Sequence, residues 1–347
     1  MKKVIICHVL ILSLLLGLFA IPSFAAPDVT NPDDYNAVTV SKIMDKTNVF
    51  DLKAKGAILI DGASGKVLLE RNSHEKLQIA SVTKIMSMLL VMEAIDSGKI
   101  KYDDMVPVSV HSYNMGGSQV YLKPGEQFTV TDMLKAVAVH SANDATVALA
   151  EKVAGSEEAF VAMMNEKAKA LGMNDTNFID CTGLTDDGHY SSANDIALMS
   201  RDLIMNHPKI LDFTTIWHDT FRDGKFSLDN TNKLIRFYQG ANGLKTGFTT
   251  KAGYCLSAAA KKNNLQLISV VLGEPDTNTR FAESRKLLDY GFANFDISQV
   301  NKKDEAVGEV EVKKGLNTKV NAIFNDDVNL LINKNEKGKI TREVIFD

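Results

Sequence analysis

The segment from Ser81 to Ser97 is the feature that most constrains the fold of this chain. It is rich in Met, Leu, Val and Ile, it contains no glycine or proline, and Gly98 follows it directly. This pattern predicts a buried helix, with Ser81 as its N-cap and Gly98 at its end. Lys84 lies in this segment, three residues after Ser81. Because a buried lysine is costly unless its charge is paired or its amine is used, Lys84 calls for a chemical explanation.

Length and composition exclude some classes of function. The chain has 347 residues, enough for two domains or for one large domain with an appendage. Its formal charge is −4, and no long basic cluster occurs in it. The sequence therefore lacks the basic patch that is typical of nucleic-acid binding, and no nucleic-acid partner is expected.

The first 25 residues predict a signal peptide. A short positive start, "MKK", precedes an apolar core, and Ser23 and Ala25 offer small residues for cleavage before Ala26. An uncleaved membrane anchor is the alternative, because the apolar core is slightly longer than most signal cores. Either way the rest of the chain is expected to be exported. Residues 26–50 are polar and turn-rich and predict a linker.

The order of apolar patterns predicts an α+β domain over residues 51–296. Two short β-rich runs flank residues 61–65, and two more, at 252–262 and 265–273, lie near the end of the domain. Helical spacing fills most of the region between them and returns after it, at residues 130–140, 144–153, 157–171, 193–206 and 278–295. We therefore expect an antiparallel sheet built from both ends of the domain, flanked by helices and with a helical insertion between its halves. Residues 297–347 predict a small β-rich C-terminal module that looks incomplete.

Three short motifs supply an explanation for Lys84. They are Ser81–Lys84 (Ser-x-x-Lys), Ser141–Asn143 (Ser-x-Asn) and Lys245–Gly247 (Lys-Thr-Gly), and each alone is weak. A second Ser-x-x-Lys occurs at Ser73–Lys76, in a polar turn, and a second Ser-Ala-Asn-Asp starts at Ser192. Helix capping is therefore an alternative role for Ser141 and Asn143, and a solvated position at a strand end is the alternative for Lys245.

The order and spacing of the motifs carry more weight than any one of them. Ser141 lies 60 residues after Ser81, and Lys245 lies 104 residues after Ser141. In these respects the chain resembles the penicillin-recognising serine acyltransferases. Four further stretches resemble the D-alanyl-D-alanine carboxypeptidases, the low-molecular-mass penicillin-binding proteins: "GGSQVYLKPGE", "TGLTDDGHYSSANDIALM", "GANGLKTGFTTKAGYCLSAA" and "RFAESRKLLDYGF". The resemblance runs from about residue 50 to 345 and implies a β-lactamase/transpeptidase-like domain.

The first motif fits nucleophilic catalysis. Residues three apart on a helix share a face, so Lys84 can reach the hydroxyl of Ser81. A buried lysine near a second cation, Lys245, is disfavoured as an ammonium ion, and a neutral amine is a competent base. The resemblance implies that Ser81 is the nucleophile and that Ser141 relays a proton between the leaving amine and the two lysines. It also implies that Asn143 positions both the substrate amide and Lys84.

The third motif and Arg280 are expected to bind substrate. The resemblance implies an oxyanion hole made by the backbone N–H groups of Ser81 and Phe248. Arg280 matches the family's carboxylate-binding arginine by its context "RFAES", and its alternative role is that of a solvated residue in the first turn of a helix. The predicted substrate-binding set is Thr246, Gly247, Phe248, Thr249 and Arg280.

Together these features predict an exported serine-type D-Ala-D-Ala carboxypeptidase. Its partners would be peptidoglycan stem peptides, with β-lactam antibiotics as covalent inhibitors and no metal or other cofactor. A class A-like β-lactamase is one alternative, but the Glu that such an enzyme needs is missing between residues 167 and 186. A catalytically idle peptidoglycan-binding protein is the other alternative. Peripheral membrane association is not supported by this C-terminus, and Cys181 and Cys255 are expected to be buried free thiols.

Overall fold

The computed structural model describes residues 51–184, 187–313, 317–336, 338 and 343. The predicted signal peptide at residues 1–25 and the predicted linker at 26–50 lie outside these residues.

The strands are β1 (Gly56–Asp61), β2 (Val67–Arg71), β3 (Met105–Pro107), β4 (Gln127–Thr129), β5 (His218–Phe221), β6 (Phe226–Asp229), β7 (Ala241–Thr249), β8 (Gly253–Lys262), β9 (Leu265–Glu274), β10 (Phe295–Asn301), β11 (Ala306–Glu311), β12 (Lys319–Ile323) and β13 (Val328–Asn333). The helices are α1 (Lys84–Asp96), α2 (Val110–Tyr113), α3 (Val130–Lys135), α4 (Asn143–Ala154), α5 (Glu157–Ala170), α6 (Ala193–Asn206), α7 (Leu211–Thr214), α8 (Leu234–Phe237) and α9 (Thr277–Asn294). Short 3₁₀ helices cover Ala80–Thr83, Pro208–Ile210 and Lys334–Glu336, and a π-helical turn covers Ala136–His140.

A five-stranded antiparallel sheet forms the frame of the larger unit. Its order is β2-β1-β9-β8-β7, so the N-terminal hairpin pairs with strands from the end of the domain. β1 is buried along its whole length and β9 nearly so, as expected for strands covered on both faces. The helical insertion lies in sequence between β2 and β7, which confirms the predicted α+β fold. β7 is an edge strand, and one of its sides is therefore free of sheet pairing.

Helix α1 is buried, as its apolar sequence predicts, but Ser81 is not its N-cap. The helix begins at Lys84, its N-cap is Thr83 without a side-chain capping bond, and Ser81 lies in the preceding 3₁₀ helix. The reason is that Ala80 adopts a left-handed backbone with a φ of 47° and starts a tighter turn before the helix. Gly98, with a φ of 75°, follows the end of α1 as predicted.

The helix predicted at residues 130–140 changes geometry part of the way along. Its first part is α3, and its last five residues form the π-helical turn that ends at His140. Such wider turns are common at functional sites. Ser141 follows this turn in a left-handed conformation, with a φ of 66°, and α4 begins two residues later.

The chain divides into two compact units, of which the larger ends at Ala293 and the smaller takes the described residues from Asn294 onward. The smaller unit contains two antiparallel pairs, β10 with β13 and β11 with β12, so a small C-terminal β module is present as predicted. Within the described parts of both units, no helix combines the length and the apolar character needed to cross a membrane.

Candidate active site

Ser81 and Lys84 are in direct contact at the start of α1. The Nζ atom of Lys84 lies 3.0 Å from the Oγ atom of Ser81 and 2.7 Å from the carbonyl oxygen of Thr182. The side chain of Lys84 is 0% exposed, so its amine reaches the serine from within the core. Because the amine is anchored by a carbonyl on one side, it can accept a proton from the hydroxyl on the other.

Burial lowers the pKa of both lysines of the predicted site. Desolvation lowers the pKa of Lys84 to about 8, although the nearby Cys181, Asp180 and Asp144 partly oppose this change. Lys245 is 1% exposed, and burial together with the charges of Lys84 and Arg280 lowers its pKa well below 10.5. Burial thus disfavours the ammonium form of Lys84, as predicted, but the predicted repulsion from Lys245 is not among the causes of its lowered pKa. Repulsion by neighbouring cations adds to desolvation only for Lys245.

The two Ser-Ala-Asn-Asp segments differ in what their serines do. Ser192 is the N-cap of α6, and its Oγ atom accepts a hydrogen bond from the backbone N–H of Asp195 at 3.2 Å. Ser141 is not a cap, because the N-cap of α4 is Ala142 and no side chain caps that helix. The capping alternative is therefore wrong for Ser141. Ser141 is buried and has a left-handed backbone, and its hydroxyl is available for a role other than capping.

Asn143 is fixed by one half of its amide and has the other half unused. Its Nδ2 atom donates to the carbonyl oxygen of Gly116 at 2.7 Å. Its backbone N–H donates to the carbonyl oxygen of Ser118, also at 2.7 Å. Its Oδ1 atom is buried and accepts no hydrogen bond within the described part of the chain. A buried acceptor without a partner costs stability, and it is suited to receive an N–H group of a substrate amide.

The Lys-Thr-Gly motif lies on β7, the edge strand that packs against the turn carrying Ser81. A Cβ atom at Gly247 would lie 2.6 Å from the carbonyl oxygen of Ile79 and 3.1 Å from the backbone nitrogen of Ser81. Glycine is therefore required for this close approach. Lys245 donates to the carbonyl oxygen of Thr246 at 2.9 Å and is buried, so the alternative of a solvated lysine at a strand end is wrong.

The remaining predicted residues continue along β7 and onto α9. The side chain of Phe248 is 53% exposed and stacks on Tyr254, with ring centroids 4.3 Å apart. Thr249 accepts a hydrogen bond through Oγ1 from the N–H of Ala252 at 3.1 Å, and its own hydroxyl proton is not used by that bond.

Arg280 is buried, with only 7% of its surface exposed, so its alternative role as a solvated residue is wrong. Its Nη1 atom donates to the carbonyl oxygens of Gly247 at 3.2 Å and Cys255 at 3.4 Å, and its Nε atom has no partner among the described residues. Burial lowers its pKa to about 10, which leaves it cationic at neutral pH. It is thus a cation with donor capacity to spare beside the edge strand.

Sequence reasoning missed several groups that hold the predicted residues. Thr182 supplies the carbonyl that anchors Lys84, and Asp180 organises that turn by accepting from the N–H groups of Thr182 and Gly183, each at 2.6 Å. Thr231 accepts a hydrogen bond from the hydroxyl of Thr246 at 2.7 Å. Thr182, Asp180 and Gly183 lie in or beside the family-like stretch "TGLTDDGHYSSANDIALM", and this stretch was the available signal for them. No sequence signal was available for Thr231.

Two other groups of reactive side chains have structural explanations. Cys181 and Cys255 are buried free thiols, as predicted. Ligand atoms of Glu93, Asp202 and His207 lie within 4.8 Å of one another. The ammonium group of Lys167 lies 2.6 Å from Glu93 and 2.8 Å from Asp202, so a cation already pairs with both carboxylates, and we assign no metal to them.

Comparison with known proteins gives concordant matches. Residues 41–276 match the family model described as D-alanyl-D-alanine carboxypeptidase, and residues 295–347 match that of the penicillin-binding protein 5 C-terminal domain. The chain is 47% identical over 294 residues to the D-alanyl-D-alanine carboxypeptidase DacF of Bacillus subtilis, covering 84% of this chain and 75% of the relative.

Solved structures give the same picture. Penicillin binding protein 5 from Haemophilus influenzae matches with a TM-score of 0.75 and 34% identity, covering 83% of this chain and 85% of that chain. Penicillin-binding protein D2 from Listeria monocytogenes, in its ampicillin-bound form, matches with a TM-score of 0.64 and 34% identity, covering 70% of this chain and 98% of that chain.

The two Ser-Ala-Asn-Asp segments provide a matched pair of variants. Ser192→Ala removes a helix cap, so we expect it to lower the free energy of unfolding by about 1 kcal/mol and to leave turnover of a D-Ala-D-Ala peptide unchanged. Ser141→Ala removes no cap, so we expect little change in stability and a loss of turnover of about 100-fold or more. Urea unfolding and peptide turnover, measured on both variants, check this contrast. Equal effects of the two variants on both measurements would contradict it.

Proposed function

The chain belongs to the D-alanyl-D-alanine carboxypeptidase family, and we propose that it removes the terminal D-alanine of peptidoglycan stem pentapeptides through an acyl-enzyme on Ser81. The observation that carries this proposal is the contact of 3.0 Å between the hydroxyl of Ser81 and the fully buried amine of Lys84. A serine hydroxyl is a weak nucleophile unless a base removes its proton. A lysine amine with a pKa of about 8 is neutral in about one tenth of the molecules at pH 7, which is sufficient for such a base.

Acylation would begin when the neutral amine of Lys84 takes the proton of Ser81. The Oγ atom then attacks the carbonyl carbon of the penultimate D-alanine. The developing oxyanion would be bound by the backbone N–H groups of Ser81 and Phe248, one in the 3₁₀ helix and the other on the edge strand. Ser141 would pass a proton from the lysines to the leaving nitrogen, so that D-alanine departs with a neutral amine and its carboxylate intact. β-Lactams would follow the same first step and remain attached to Ser81.

Substrate recognition would divide between α4, β7 and α9. The unused Oδ1 atom of Asn143 would accept an N–H group of the substrate backbone. Gly247 would allow the peptide to lie along the edge strand, while the hydroxyls of Thr246 and Thr249 and the guanidinium of Arg280 would bind the terminal carboxylate. A free carboxylate is what distinguishes a chain end from an internal peptide bond, so this contact would make the enzyme a carboxypeptidase.

The two alternatives have less support. A class A-like β-lactamase needs a Glu to activate its deacylating water, and residues 167–186 contain none. Of the aspartates in this range, Asp180 accepts hydrogen bonds from the backbone N–H groups of Thr182 and Gly183 and serves to shape the turn. An idle binding protein would not need two buried lysine amines, one of them in contact with Ser81, since their burial costs stability without a catalytic return.

The site of action follows from the substrate. Peptidoglycan lies outside the cytoplasmic membrane, and the enzyme acts in the cell wall. We propose that residues 1–25 direct export as a signal peptide, that residues 51–296 form the catalytic domain and that residues 297–347 form a separate β module. Trimming of stem peptides would limit their cross-linking and so affect cell shape.

The rate of acylation is expected to rise with pH. The pKa of Lys84 is depressed to about 8, so its active neutral form becomes more abundant as pH rises towards that value. Between pH 5.5 and 7 the second-order rate constant for benzylpenicillin should increase about tenfold per pH unit, and it should level off above pH 8. Stopped-flow acylation over pH 5.5–9 checks this profile. A flat profile would show that no group titrating near pH 8 acts as the base.

Covalent labelling is expected to depend on Ser81 and not on Ser73. The two serines share the Ser-x-x-Lys spacing, but Ser73 donates its hydroxyl proton to Glu70, and Lys76 lies over the ring of Tyr190 at 5.3 Å. Ser81→Ala should therefore abolish the band labelled by a fluorescent penicillin, and Ser73→Ala should retain it. Intact mass spectrometry gives the same readout quantitatively. Labelling that survives in Ser81→Ala would refute the proposed nucleophile.

Arg280 is expected to recognise the free carboxylate of the substrate. A charge-assisted hydrogen bond contributes roughly 1.5–3 kcal/mol, so Arg280→Ala should lower kcat/KM for a peptide acid about 10- to 150-fold. Because Arg280 also bonds to two backbone carbonyls, the loss has to be separated from structural damage. A double-mutant cycle with the C-terminally amidated peptide does this.

In that cycle, wild type should lose activity when the substrate is amidated. Arg280→Ala, which already lacks the contact with the carboxylate, should lose little further activity on amidation. Arg285→Ala, on the exposed side of the same helix, is the control and should behave as wild type. If wild type and Arg280→Ala lose the same factor on amidation, Arg280 does not bind the carboxylate.

A further inference from the structure

The residue directly before Ser81 has an unusual backbone. Ala80 is buried and has a φ of 47°, in the left-handed region that residues with a side chain rarely adopt. This turn sets the direction in which the 3₁₀ helix starts, and with it the position of the Ser81 hydroxyl and N–H. Such a conformation persists only when neighbouring groups hold it.

Two groups hold the carbonyl of Ala80. The hydroxyl of Thr83 donates to the Ala80 carbonyl oxygen at 2.8 Å. Gly183 packs against the same carbonyl so closely that a Cβ atom there would lie 1.9 Å from the oxygen, and its φ of 78° also requires glycine. The turn before Ser81 is thus clamped between Thr83 and the loop that carries Gly183.

The hydroxyl of Thr83 has a second partner, the Nε2 atom of His189, at 2.7 Å. A threonine hydroxyl has a single proton, and this proton is given to Ala80, so Nε2 must be the donor. The other ring nitrogen agrees, because Nδ1 accepts from the backbone N–H of Ile179 at 3.2 Å. The imidazole is therefore neutral with its proton on Nε2, and hydrogen bonds run in one direction from Ile179 through His189 and Thr83 to Ala80.

We propose that His189 is a positioning residue for the nucleophile, acting through Thr83 on the Ala80–Ser81 turn. The proposal rests on Ser81 being the nucleophile, as proposed above. His189 bonds to Thr83 and Ile179 and is not assigned a contact with substrate, so it is not a catalytic residue. Its effect would be to keep the Ser81 hydroxyl aligned with Lys84 and the Ser81 N–H aligned with the developing oxyanion, where a small displacement has a large effect on rate.

The charges around the imidazole keep it neutral. Burial lowers the pKa of His189 below 6.5, and the positive charge of Lys84 acts in the same direction. The carboxylate of Asp180 opposes this, with its Oδ2 atom 3.9 Å from Nδ1, while the ring of Phe178 packs edge-on to the imidazole. Since the folded pKa is depressed, the hydrogen-bonded arrangement is fully present above pH 6.5 and is lost as pH falls through the folded pKa. Protonation of Nδ1 would place its N–H group opposite the backbone N–H of Ile179, so that two donors would face each other.

Two matched pairs of variants test the proposal. A glutamine can place its amide nitrogen near the position of Nε2 and donate to Thr83, whereas the shorter asparagine reaches only the position of Nδ1. His189→Gln should therefore acylate with benzylpenicillin at close to the wild-type rate, and His189→Asn should be slower by about 10- to 100-fold. Thr83→Ser retains the hydroxyl and should remain active, and Thr83→Val should be as slow as His189→Asn.

The double variant Thr83→Val with His189→Asn should be no slower than either single variant, because both act through one chain of hydrogen bonds. Thermal unfolding of each variant shows that the rates refer to folded protein, and Thr83→Ser and His189→Gln keep the comparison valid if the harsher variants unfold. Wild-type rates in His189→Asn, or multiplicative losses in the double variant, would overturn the proposal.

The Ser81→Ala variant separates this proposal from the proposed function. If Ser81→Ala still labels with penicillin, the nucleophile assignment itself fails. If Ser81→Ala does not label and His189→Asn labels at the wild-type rate, only the positioning role fails.

Discussion

The burial of two lysine amines is the constraint on which the rest of the catalytic unit depends. Lys84 and Lys245 are almost completely buried, and each has a backbone carbonyl as a partner, from Thr182 and Thr246 respectively. An ammonium ion has three protons to donate and is strongly hydrated in water, so these sites compensate it poorly. A neutral amine fits Lys84 better, because it can donate to Thr182 and offer its lone pair to the hydroxyl of Ser81. The core therefore disfavours the charge that would prevent Lys84 from acting as a base.

Two carboxylates fix the loops around the site, and of these Asp144 is buried and Asp180 is half-buried. Asp144 accepts hydrogen bonds from the backbone N–H groups of Val120 and Leu122, and Asp180 accepts from those of Thr182 and Gly183. Each carboxylate shapes a loop that reaches the site, the first near the carbonyl that holds Asn143 and the second through the carbonyl that holds Lys84. Oriented dipoles of this kind need no reorganisation during the reaction, which is the main requirement for electrostatic catalysis.

The sequence predicted most of this frame and the identity of the central residues, but it could not predict what holds them. Helix α6, the strands β8 and β9 and the burial of α1 follow from local periodicity, and the motif order located Ser81, Lys84, Ser141 and Lys245. The role of Ser81 as N-cap was wrong, because the left-handed turn at Ala80 depends on a partner far along the chain. Ser141 and Ser192 are both followed by Ala-Asn-Asp but have different roles, since the π-helical turn before Ser141 is a tertiary feature. Contacts such as that of Lys84 with the carbonyl of Thr182 use backbone atoms, which carry no residue-specific signal.

The same electrostatic arrangement would serve both the proposed base and the proposed recognition of a chain end. Arg280 lies among groups that do not neutralise it, since burial beside Glu283 raises the pKa of Glu274 to about 9 and leaves that carboxyl uncharged at pH 7. The uncompensated guanidinium repels a proton from Lys245 and attracts an anion to the edge strand. A substrate carboxylate would satisfy Arg280 and would offset the repulsion that the guanidinium exerts on a proton at Lys245. Binding of the correct chain end would therefore supply the negative charge that this buried guanidinium lacks, whereas an internal peptide bond would supply no such charge.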